Sequence, residues 1–168
     1  GRLRDVGAAV RSAVAIAAVD APPDAVLFVN LHPMDLLDED LYRTDAPLAK
    51  IAHRVVFELT ERATLEDIDD LQERRALIRT LGYRIAIDDL GAGYSGLSSL
   101  IGLDPELVKL DMSLVRGVDG DSARQAIVGA LARLVRELGK QLVAEGVETA
   151  GERDMLSSLG CSLLQGYF

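Results

Sequence analysis

Six short runs rich in Val, Ile and Leu, each ending in polar or charged residues and separated by helical patterns, limit the possible folds most strongly. The runs are VLFVN (26–30), RVVFEL (54–59), YRIAID (83–88), LVKLD (107–111), QLVAEG (141–146) and SLLQG (162–166). Runs this short and continuously apolar suit parallel strands buried on both faces. Between them, Asp67 to Leu81 repeats apolar residues at helical spacing through Ile68, Leu71, Leu77, Ile78 and Leu81, with Gly82 as its stop. Ser122 to Leu138 does the same through Ile127, Leu131, Leu134, Val135 and Leu138, with Gly139 as its stop and the apolar stripe expected to face the strands. Glu152 to Leu159 precedes Gly160. Asp35 to Tyr42 reads as a short helix, with another after Pro47.

This βα alternation gives an α/β fold. Two architectures fit, an open doubly wound sheet or a (β/α) barrel. The polar residues discriminate. Asn30, Glu58, Asp88, Lys109 with Asp111, Glu145 and Gln165 all stand at C-terminal strand ends. An open sheet gathers ligand residues near one switch point, whereas a barrel converges all its strand ends on one mouth. The expectation is a TIM-type barrel, incomplete, with about six of the eight strand–helix units.

The N-terminal stretch, with Leu3, Val6, Val10, Val14 and Ala17 at helical spacing, reads as a helix rather than a signal peptide. The longest apolar run, Ala13 to Val19, is far short of the roughly 20 residues a bilayer needs, so no membrane segment is expected. The chain opens on Gly, which points to a fragment or processed form.

Composition narrows the function. With 18 Lys+Arg against 27 Asp+Glu, the net charge is −9, and DNA binding through a basic groove is disfavoured. Aromatic residues make up 4% with no Trp, so base-stacking platforms are not expected. A single Cys161 excludes an internal disulfide and reads as a small core residue. His32 and His53 read as surface or capping residues.

Strand alternation places Asn30, Glu58, Lys109, Asp111, Glu145 and Gln165 on shared faces with their i−2 neighbours, and Asp89 where its strand breaks into a loop. Several carboxylates gathered at one mouth cannot all stay charged without cations. Carboxylates plus an amide oxygen suit Mg²⁺ or Mn²⁺. Two such ions could clamp a phosphodiester and acidify an attacking water, with Lys109 positioning that water or stabilising phosphate charge. The blander alternative is that single strand-end acids are helix caps. Gly91-Ala-Gly93-Tyr-Ser-Gly96 matches a dinucleotide-binding pattern, but Asp88 and Asp89 directly before it would repel a pyrophosphate. A Gly-rich gating loop containing Gly91, Gly93, Tyr94 and Ser95 is preferred.

The motifs FELTER (57–62), IDDLGAGYSGLSSL (87–100), VKLDMSLV (108–115), VAEGVET (143–149) and LLQGYF (163–168), with VNLHP (29–33), resemble the EAL domain family in its expected order. The resemblance implies one partial domain over residues 1–168, with the first strand bearing the Glu-Ala-Leu motif and the last strand–helix unit missing. It implies a bacterial signalling hydrolase, a metal-dependent phosphodiesterase converting cyclic-di-GMP to linear pGpG. This piece would be weakened or inactive, and a non-catalytic cyclic-di-GMP receptor is the alternative. It further implies metal-binding by Asn30, Glu58, Asp88 and Asp89 with Mg²⁺ or Mn²⁺, two ions in all. Lys109, Glu145, Glu148 and Gln165 become catalytic, and Glu61 anchors the gating loop. The resemblance also implies a homodimer, fusion to sensory or GGDEF-type domains, and a cytoplasmic location in a parent that could be membrane-tethered.

Overall fold

The computed structural model describes residues 2–60, 68, 70–92 and 96–168. Its strands are β1 (Leu27–Asn30), β2 (Val55–Thr60), β3 (Arg84–Leu90), β4 (Leu107–Leu110), β5 (Gln141–Val147) and β6 (Leu163–Gly166). Each of the six apolar runs overlaps one of them, with β2, β3 and β5 extending one or two residues beyond their runs. They form one sheet in the order β1-β2-β3-β4-β5-β6. A doubly wound sheet reverses its strand order at a switch point. This sequential order has no reversal and is that of a TIM-type (β/α) fold. The pairings β1–β2, β4–β5 and β5–β6 are parallel. Val55 to Leu59 and all of β4 are buried, which is why those runs carry no polar alternation until the functional residues.

The helices are α1 (Arg2–Ala17), α2 (Leu71–Thr80), α3 (Gly96–Leu103), α4 (Met112–Val115), α5 (Ser122–Glu137) and α6 (Ala150–Ser158). Gly82, Gly139 and Gly160 follow α2, α5 and α6 at φ of 95°, 72° and 98°. These are left-handed values that L residues resist, so the expected stops hold. The start expected for this helix at Asp67 lies outside the described residues, and α2 spans Leu71–Thr80. α6 begins before the expected Glu152, because Thr149 and Glu152 form a capping box. The segment 33–54 is not α-helical but three 3-10 pieces, Pro33–Leu37, Glu39–Tyr42 and Pro47–Arg54. Asp38 ends the first piece and caps the second, stopping a continuous helix.

The chain divides into two compact units. The first contains α1, β1, the 3-10 segments, β2 through Leu59, α2 and β3 through Ala86. Its core includes Leu36, Val55, Phe57, Ile78 and Ile85, and the rings of Phe57 and Tyr83 pack with centroids 4.6 Å apart. Here α1 departs from its apolar pattern. Val6 and Val10 are 59% and 41% exposed, whereas Arg11 is buried. The Arg11 guanidinium reaches Asp38 at 2.5 Å and Asp35 at 3.8 Å, so a charge cluster rather than the valine stripe docks this helix.

The second unit contains β3 from Ile87, β4, α4, α5, β5, α6 and β6. Asp121 caps α5, accepting from Ala123 and Arg124 N–H at 2.9 and 3.1 Å. The helix buries Val128, Ala132 and Val135 at i, i+4 and i+7. Of the expected stripe only Val135 is fully buried; Leu131 and Leu134 are partly buried, and Ile127 and Leu138 are about half exposed. Cys161 is buried, as expected. No helix among the described residues is long and apolar enough to cross a membrane.

Candidate metal centre

In the first unit, β1 and β2 run parallel with Asn30 level with Glu58. The buried part of β2, Val55 to Leu59, is apolar apart from Glu58, which is only 7% exposed near the strand's end. Its carbonyl accepts the N–H of Leu31 at 2.9 Å, tying the ends of both strands. His32, just beyond, accepts the N–H of Met34 through Nδ1 at 3.2 Å, the capping role expected of it.

The second unit gathers three further candidates. Asp88 lies near the end of β3, Lys109 within β4 and Glu145 within β5. Lys109 is 5% exposed, and its Nζ stands 3.2 Å from Asp88 Oδ1 and against Glu145 Oε1. One carboxylate oxygen of Asp88 and one of Glu145 lie within 4.8 Å of each other. A buried ammonium needs such counter-charges, and two carboxylates around one lysine leave a net negative charge. The long lysine stem explains the reach. Lys109 is level with Val143, and Glu145 stands two residues further on the same face of β5.

Backbone geometry at both acids departs from ideal strand. Asp89 adopts φ 59°, a left-handed value at which an extended run breaks. That break undoes strict alternation, so the consecutive acids Asp88 and Asp89 need not face opposite sides. Asp88 Oδ1 accepts the Asp89 N–H at 3.1 Å. Next to Glu145, the β5–β6 register shifts between Glu145 and Val147. Gly146 there has φ 73°, and a Cβ on it would come 2.9 Å from Met112 Cβ, so glycine is required.

The remaining candidates vary. Gln165 on β6 is level with Glu145 and exposed. Glu148, one residue past β5, is gripped by a two-pronged Arg116 guanidinium. That pairing holds the Glu148 carboxyl below the usual carboxylate range. Gly91 sits at φ 111°, and a Cβ there would strike Leu114 Cδ1, again demanding glycine. Glu61, Gly93, Tyr94 and Ser95 lie outside the described residues. Asp111 is corrected. β4 ends at Leu110, and the Asp111 carboxylate accepts the Ser113 N–H at 2.9 Å as the cap of α4. For this acid the blander capping role holds.

Two residues escaped sequence reasoning. Glu152 had a local signal, the Thr149-x-x-Glu152 capping box. Arg116 had none, because its partner Glu148 is 32 residues away in the chain. The donor chemistry of Asp88 and Glu145, hard carboxylate oxygens on β3 and β5 to either side of β4, fits a divalent cation such as Mn²⁺ or Mg²⁺.

The model of the EAL domain family matches residues 5–168. A standalone versatile EAL protein from Vibrio cholerae O395, solved in its c-di-GMP bound form, superposes with a TM-score of 0.86 at 32% identity. That match covers 97% of this chain and 71% of that one. Klebsiella pneumoniae BlrP1 in a manganese/cy-diGMP complex superposes with a TM-score of 0.84 at 33% identity, over 98% of this chain and 43% of that one. The cyclic di-GMP phosphodiesterase RocR of Pseudomonas aeruginosa is 34% identical over 145 residues, 84% of this chain and 37% of RocR. The chain spans 14% to 37% of the length of the first curated relatives it matches. The strand-end motifs, the sequential strand order and the match over residues 5–168 agree that this chain belongs to the EAL domain family.

Proposed function

We propose that the domain hydrolyses cyclic-di-GMP to linear pGpG with divalent metal, as part of a bacterial signalling protein. The observation that carries this reading is the Asp88–Lys109–Glu145 cluster at strand ends, in a chain whose structural relatives were solved with manganese or calcium and c-di-GMP. In this reading Asn30, Glu58, Asp88 and Asp89 hold two Mg²⁺ or Mn²⁺ ions. The chemistry such ions supply when bound is polarisation of the phosphodiester and acidification of the attacking water.

The chain's own residues supply the rest. Lys109 carries its proton at Nζ between two carboxylates, where it orients the incoming water and offsets charge developing on the phosphate. Glu145 holds that ammonium in place and, as a further acidic group near the metals, adds its negative charge to the attraction for the ions. Glu148 and Gln165 contact water or substrate at the rim. The gating role and the link to a homodimer that the family resemblance implies for Gly91, Gly93, Tyr94 and Ser95, of which only Gly91 is among the described residues, belong to the same proposal. The parent is fused to sensory or GGDEF-type domains and works in the cytoplasm.

Supporting this reading, the donors are all oxygen, and the buried Lys109 would be costly to keep without a role. The test is incubation of the chain, and of its parent protein, with cyclic-di-GMP and Mn²⁺ or Mg²⁺, following pGpG by anion-exchange chromatography. Metal-dependent pGpG is expected from the parent. Saturable binding by the parent without any pGpG replaces the enzyme with a cyclic-di-GMP receptor.

A further inference from the structure

Glu152 is 4% exposed, and backbone N–H groups fill both oxygens of its carboxylate. Oε2 accepts from Glu148 N at 2.9 Å and from Thr149 N at 3.2 Å. Oε1 accepts from Gly117 N at 2.9 Å. A capping box needs only the Thr149 bond and its reciprocal, Glu152 N to Thr149 Oγ1 at 3.1 Å. The Gly117 bond lies outside that box and spans 35 residues. The neighbouring Arg116 grips Glu148 by its side chain. The segments 116–117 and 148–152 are therefore tied twice, once through backbone and once through the ion pair. Three N–H donors also hold the Glu152 carboxyl below its usual range, so the tie persists as an anion.

We propose that Glu152 is a positioning residue for the site. It fixes the turn after β5 to the end of α4, so that Arg116 and Glu148 keep fixed places next to the strand end carrying Glu145. The inference rests on the phosphodiesterase reading and deepens it, since Glu152 acts only through Glu148 and Arg116. Glu152→Gln keeps size and helix start but turns one acceptor oxygen into an NH₂ donor facing a backbone N–H. Either the bond from Gly117 N or the pair from Glu148 N and Thr149 N must then break. Thr149→Ala removes the other half of the capping box and leaves the Gly117 bond intact.

The test compares wild type, Glu152→Gln and Thr149→Ala by amide hydrogen exchange at Gly117 and Glu148 and by Mn²⁺-dependent turnover of cyclic-di-GMP. Glu152→Gln is expected to speed exchange at one of these amides at least tenfold. It is also expected to lower kcat at least fivefold with KM within twofold. Thr149→Ala is expected to lose thermal stability while keeping kcat within twofold and Gly117 protected. Unchanged exchange at both amides in Glu152→Gln overturns the inference, as do kcat losses that merely follow loss of thermal stability in both variants. Turnover is measured in the parent protein, and its absence in wild type there counts against the phosphodiesterase reading alone. Exchange then decides the tie, with cyclic-di-GMP affinity in Ca²⁺ taking the place of kcat.

Discussion

Replacing Lys109 with Met keeps the buried stem and deletes the charge that separates Asp88 from Glu145. The two carboxylates, with oxygens within 4.8 Å, then face each other uncompensated. At an effective dielectric of about 20 their repulsion is about 3 kcal/mol. Because the Lys109 ammonium offsets this repulsion in wild type, Lys109→Met should lower the unfolding free energy in EDTA by about that amount, as expected for breaking a buried ion pair. With a urea slope of about 2 kcal/mol/M, the midpoint should fall by about 1.5 M. A divalent cation supplies the missing charge. Mn²⁺ at a hundredfold excess over its Kd adds about 2.7 kcal/mol, so the variant should recover most of its loss. Wild type should gain less, because its ammonium competes for the same oxygens. The assay is urea unfolding followed by far-UV circular dichroism, with EDTA and then with Mn²⁺. A variant within about 0.5 kcal/mol of wild type in EDTA, or equal Mn²⁺ gains in both proteins, would refute the charge argument.

Three further outcomes follow from other sites. Arg11→Met leaves the buried Asp35 without its ion partner and should cost about 3 kcal/mol in urea unfolding, while a loss below about 1 kcal/mol would show that the cluster does not dock α1. Cys161 has its thiol pushed up to about 11 by burial, so it should resist an alkylating reagent at pH 8 in the native state and react fully in urea; fast native labelling would contradict its place in the core. Glu152 has a folded pKa below the ordinary value near 4.3, so its contribution is fully present above that value and is lost as pH falls through the lower folded pKa. Urea titrations between pH 7 and pH 3 should therefore show a steeper acid loss in wild type than in Glu152→Gln, and parallel curves would count against the carboxylate network.

The strands were legible because parallel strands buried on both faces must be continuously apolar, and the buried runs VVFEL and LVKL interrupt that rule only at Glu58 and Lys109. Helix ends were legible where glycine alone tolerates the turn, at Gly82, Gly139 and Gly160. Helix faces were harder. Periodicity in α1 marked a valine stripe, but Arg11 is the buried residue, because Asp35 and Asp38 on distant 3-10 turns neutralise it. No local pattern reports such partners. Asp111 shared the alternation of Lys109, yet β4 ends one residue earlier and an exposed helix start claimed the carboxylate. The left-handed Asp89 was invisible for a different reason: aspartate tolerates that conformation but does not require it.

The most direct test of the central claim is a Mn²⁺ titration of this chain followed by electron paramagnetic resonance of the free ion. Wild type should remove Mn²⁺ from solution saturably, and Asp88→Asn with Glu145→Gln should weaken that uptake at least tenfold. Equal uptake by the two proteins would mean that these strand-end carboxylates are not where the cation goes.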